Sequence, residues 1–71
     1  MIVAMIVDAD LLDKTVEKLR EARHLLRDCI ETSLLTGAQM QVAEDLMSRS
    51  KELEKPLILE ARHLREEAVK G

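Results

Sequence analysis

The residues best equipped for chemistry come as a repeated set. Glu21-Ala22-Arg23-His24 and Glu60-Ala61-Arg62-His63 are the same tetrapeptide, each followed by leucine. Glu-x-x-His on each of two helices is half the ligand set of a di-iron carboxylate bundle; the other half is a glutamate from each of two further helices. The facing argues against a metal centre. At about 100° per residue, Glu21 and His24 point away from the stripe of Leu12, Leu19, Leu26 and Ile30. Glu60 and His63 likewise turn away from Leu57, Ala61 and Leu64. Within one hairpin the two copies would miss each other by about 18 Å at about 1.5 Å per residue. A solvated face with pairs such as His24–Asp28 and His63–Glu67 is the expectation, with no metal bound. A metal bridging two subunits is the alternative.

Other chemistry is sparse. Cys29 has no histidine at a helical pairing distance to activate it and reads as a small buried hydrophobe. Met40 and Met47 fall at core spacing. No glycine-rich phosphate loop, zinc-type cysteine pairing or nucleophile elbow occurs.

The elements that would position these groups are helices. With 46% hydrophobic and 35% charged residues and no Phe, Tyr or Trp in 71 residues, the chain suits long helices packed through aliphatic side chains and Met. A net charge of −3 with mixed signs argues against a general nucleic-acid or anionic-membrane binder. A single cysteine permits no internal disulfide, so a reducing cytoplasm is the expected location. The apolar run Met1 to Val7 is too short for a membrane span, which needs about 20 residues. It reads as an arm, 1–9, covering a helix end or a partner subunit, with a short strand or a helical extension as alternatives.

Asp8 and Asp10 are candidate N-caps of a first helix over 10–35, with Asp13 in its first turn. Its seam runs through Leu12, Val16, Leu19, Leu26, Ile30 and Ser33/Leu34, and Arg23 lands on that apolar face. Thr36 and Gln39 form a capping box, with Gly37 relieving the reversal, so 36–39 is the turn and the start of a second helix over 38–70. The second seam is Ala43, Leu46/Met47, Ser50, Leu53, Leu57, Ala61, Leu64 and Ala68. Counting outward from the turn places Arg23 level with residue 49 or 50, within reach of Ser50 and Glu54. Pro56 removes one helical hydrogen bond, so a kink or break near 54–56 is expected, the kinked helix being favoured over a third helix starting there. Gly71 ends the chain after Lys70.

Ser50-Lys51-Glu52-Leu53-Glu54, followed by Leu57-Ile58-Leu59-Glu60, resembles the Ser-Gln-Glu-Leu-Asp signature of the stage-zero-E-like sporulation regulators. Val16-Glu17-Lys18-Leu19-Arg20 and Leu35-Thr36-Gly37 are similar to that family's first helix and turn, so the likeness covers about residues 16–60. Lys51 and Glu54 replace the signature Gln and Asp, and Pro56 follows directly. The resemblance implies a helical hairpin that removes phosphate from an aspartyl-phosphorylated response regulator. Glu54 would be the catalytic acid that places or polarises a water. Ser50, Lys51 and Glu52 would contact the receiver domain, and the divalent metal would come from the partner, the chain holding no cofactor of its own.

The expectation is therefore one all-α domain over 1–71, an antiparallel hairpin that pairs with a second copy into a four-helix bundle. Its function is read as a small regulatory phosphatase, the alternative being a non-enzymatic adaptor or oligomerisation hairpin that binds a partner protein through a helical face.

Overall fold

The computed structural model describes residues 2–70, with side chains from residue 4 onward. Two helices make up the fold: α1, Ile2–Glu31, and α2, Gly37–Lys70. Pairing is antiparallel, because Arg20 meets Glu54 near the middle while Asp10 and Asp13 meet Arg65 far from the turn. The hairpin measures 51 × 15 × 13 Å. Its long axis matches a 34-residue helix at about 1.5 Å per residue.

The seam is heptad-like. On α1 the buried and half-buried residues include Met5, Ala9, Leu12, Val16, Leu19, Arg23, Leu26 and Ile30; on α2 they include Met40, Ala43, Met47, Ser50, Glu54, Leu57, Ala61, Leu64 and Ala68. Steps of three and four alternate without a break, which keeps one stripe facing the partner helix. The deepest positions are small: Ala9, Val16, Ala43, Ala61 and Ala68. Such residues let two backbones approach closely but bury little area, so the core is thin.

α1 starts earlier than the sequence reading placed it. Met1, the first residue of the arm, lies outside the described residues, as does Gly71; from Ile2 onward the arm is helix. Met5 and Ala9 extend the seam, with Ala9 fully buried. Nothing in Ile2–Ala9 breaks a helix, and α2 is long enough to cover its seam residues Met5 and Ala9. Asp8, Asp10 and Asp13 are thus internal and cap nothing. Asp10 and Asp13 instead receive Arg65 across the seam, at 2.8 and 2.6 Å. These two carboxylates, Asp13 first, hold the guanidinium's pKa above its usual value.

α1 also ends earlier, at Glu31 rather than 35. Ser33 adopts a left-handed backbone, φ 58°. The amide of Leu34 donates to the carbonyl of Cys29 and that of Ser33 to Ile30, both at 3.1 Å. This is a Schellman closure with serine where glycine is usual. The conformational relief assigned to Gly37 is needed at Ser33 instead. Gly37 has no positive φ and is the first residue of α2. The capping box forms as read: the Thr36 amide donates to Gln39 Oε1 at 3.0 Å, and the Gln39 amide to Thr36 Oγ1 at 3.3 Å. α2 passes through Pro56 as one helix, so no third helix begins there. Pro56 has no amide to donate to the carbonyl of Glu52, and both residues lie on the exposed surface of α2.

Candidate functional site

Three polar side chains, Arg23, Ser50 and Glu54, interrupt the apolar seam, and Arg20 reaches them from its edge. Glu54 follows Ser50 by one four-residue step and turns inward, where it is only 8% exposed. The register Met47, Ser50, Glu54, Leu57 puts Glu54 where the sequence reading placed Leu53; Leu53 is about half exposed.

Across from it, Arg20 Nε donates to Glu54 Oε1 at 2.6 Å. Arg23 Nη2 lies 2.5 Å from Glu54 Oε2. That second oxygen accepts no well-directed hydrogen bond, so the closeness of Arg23's positive charge is what compensates its burial. Arg23 Nη1 also donates to Ser50 Oγ at 3.1 Å, and the Ser50 hydroxyl donates in turn to the Met47 carbonyl at 2.8 Å. The approach of Arg23, Ser50 and Glu54 expected from counting outward is observed.

Arg20 was missed by the sequence reading. Its signal was available: counted outward from the reversal, Arg20 and Glu54 are nearly level with each other, as Arg23 and Ser50 are. Arg20's hydrogen bond is the largest influence on Glu54, lowering its carboxyl pKa below the usual 4.5; burial pushes the other way, and Arg23 lowers it further. Glu54 is therefore an ionised acceptor engaged by two cations. A carboxylate in that state is a weak proton acceptor and has little capacity left to orient a water.

The other residues singled out in the sequence separate. Lys51 and Glu52 are both exposed; at about 100° per residue Glu52 lies opposite Ser50 and Glu54 while Lys51 flanks the seam beside Glu54, so the pentapeptide presents no single face. Glu21, His24, Glu60 and His63 are all exposed, and Glu21 pairs with Lys18 at 3.2 Å. Among the described residues, no group of three or more His, Cys, Asp or Glu side chains is arranged to hold a metal ion. No helix among them is long and apolar enough to cross a membrane. Cys29 is half-buried at the seam edge.

The two sides of the hairpin differ. Turning about 100° per residue from the seam, Asp13, Arg20, Lys51 and Arg65 flank it on one side, where the interhelical ion pairs form. Ala22, Cys29, Leu46 and Leu53 flank it on the other. There, close to the turn, Leu26, Leu35, Ala38, Val42 and Leu46 border a shallow groove.

Comparison with protein-family models, curated proteins and solved structures gives no significant match to this chain.

Proposed function

We propose that this chain is a non-enzymatic assembly or adaptor hairpin that binds a partner protein through an exposed helical face. The observation that carries this reading is the amount of aliphatic side chain left outside the seam. Leu25, Val42, Leu46, Leu53 and Leu59 are each about half exposed or more. The radius of gyration is 16.0 Å, against about 11 Å for a compact chain of this length. A hairpin with one thin seam gains most from a partner that covers a second face. Its single cysteine and mixed surface charge suit a cytoplasmic protein that binds other proteins rather than nucleic acid.

The second reading is a phosphatase of aspartyl-phosphorylated response regulators, with Glu54 as the acid and the metal supplied by the partner. Favouring it, the Glu54–Arg20 pair reaches the surface, the Arg20 side chain being 61% exposed. Against it, both carboxylate oxygens of Glu54 are engaged by arginine. The test is loss of aspartyl phosphate from the sporulation response regulator, followed with wild type, with Glu54→Gln and without added protein. Equal decay in all three supports the assembly reading. Faster decay with wild type but not with Glu54→Gln would replace it with the phosphatase.

A further inference from the structure

Resting on the assembly reading, we propose that the partner is a second copy of this chain, docked on the side of the hairpin that carries Ala22, Leu25, Cys29, Val42, Leu46 and Leu53. In an antiparallel pair, the positions preceding the core of each helix lie on the same side. Sequence distance from the turn brings Cys29 level with Leu46 and Ala22 level with Leu53. Together with Leu25 and Val42 they set a row of apolar side chains along the turn-proximal half of this side. Leu25 is 66% exposed, Val42 60%, Leu46 52% and Leu53 49%.

Charge selects this side over the other. The opposite side holds Asp10, Asp13, Arg20 and Arg65, already engaged in pairs within the chain. Within the patch the one charged side chain is Arg49, which Asp45 neutralises at 3.1 Å. An apolar patch is complementary to its own copy, which is what a two-fold interface requires. Farther from the turn the same side carries Asp8, Glu60 and Glu67. Two copies with their turns pointing in opposite directions overlap the apolar halves and keep these carboxylates apart.

The area supports a second copy. The chain exposes 5524 Å². A compact protein of 8.1 kDa exposes about 4,500 Å². The excess of about 1,000 Å² is close to the roughly 800 Å² that each partner buries in a stable interface. Over the overlapped turn-proximal halves, two hairpins joined on this side make a four-helix bundle.

The experiment is solution mass by light scattering or sedimentation at about 10 to 200 µM, a range that brackets micromolar dissociation constants. It is run on wild type, on Leu46→Glu/Leu53→Glu, and on Leu59→Glu, which sits on the outer surface of α2. Circular dichroism on the same samples reports helicity. Wild type and Leu59→Glu are expected at twice the 8.1 kDa chain mass and the double variant at the chain mass. If the double variant loses helicity, Leu46→Ala/Leu53→Ala takes its place, with the dimer dissociation constant raised at least about tenfold. A wild-type monomer throughout the range overturns the second copy as partner while leaving the assembly reading open to a different protein. A dimer unaffected by a folded patch variant overturns this side as the interface. Neither result depends on phosphate loss from a response regulator, so failure of the assembly reading is recognised separately.

Discussion

Arg23 and Glu54 meet 2.5 Å apart inside the interhelical seam, at positions that the heptad pattern otherwise fills with aliphatic or small side chains. A charged layer in a coiled-coil seam fixes which residues can face each other, because any slip of register leaves a buried charge without its partner. Ser50 adds a second constraint through its hydrogen bond from Arg23. The layer is therefore expected to specify the hairpin more than it stabilises it.

Replacing the whole layer with apolar residues, Arg23→Leu/Ser50→Ala/Glu54→Leu, is therefore expected to leave the melting temperature equal to or above wild type. Arg23→Leu alone leaves the Glu54 carboxylate without its closest partner and is expected to melt below wild type. Thermal melts of both variants check this. A triple variant less stable than Arg23→Leu would refute it.

Acid should weaken the hairpin through Glu54. Its carboxyl is held below the ordinary 4.5 in the folded chain. A carboxylate depressed by folding contributes stability that is fully present above its unfolded value and is lost as pH falls through the folded one. Stability should thus decline below about pH 4.5, and Glu54→Gln should lack that part of the decline. Melts of the two proteins at a series of pH values decide it, parallel profiles being the contrary result.

The turn has its two small residues in inverted roles, and exchanging them should stabilise it. Ser33 holds a φ of 58°, which costs a non-glycine residue about 1 kcal/mol. Gly37 sits in ordinary helical backbone, and a Cβ there would meet nothing within 4 Å. Ser33→Gly and Gly37→Ala should each add about 0.5–1 kcal/mol in urea unfolding, additively if the two sites are independent. Thr36→Ala should remove about 1 kcal/mol by opening the capping box.

Pro56 is a second place where stability is recoverable. It is exposed within α2 and denies an amide to the Glu52 carbonyl. Pro56→Ala should restore that hydrogen bond and stabilise by about 2 kcal/mol after the more flexible unfolded chain is counted. Urea unfolding measures it, and a destabilised variant would mean that the proline shapes α2 in a way the hairpin requires.

Sequence alone determined the two helices, their antiparallel return, the Thr36–Gln39 cap and the approach of Arg23 to Ser50 and Glu54. Each depends on local spacing, and the period of a helix and the rise per residue carry it across the turn. Tertiary structure decided the rest. The run from Ile2 to Ala9 could be arm, strand or helix until α2 offered a surface that covers Met5 and Ala9. Hydrophobicity favoured Leu53 for the core, but the alternation of three- and four-residue steps turned Glu54 inward, and only the arginines of the facing helix make that burial tolerable. The left-handed residue at Ser33 was hidden for the same kind of reason. Where α1 stops is set by the geometry of the reversal between two packed helices, and the chain places a serine at the point where that geometry demands a positive φ.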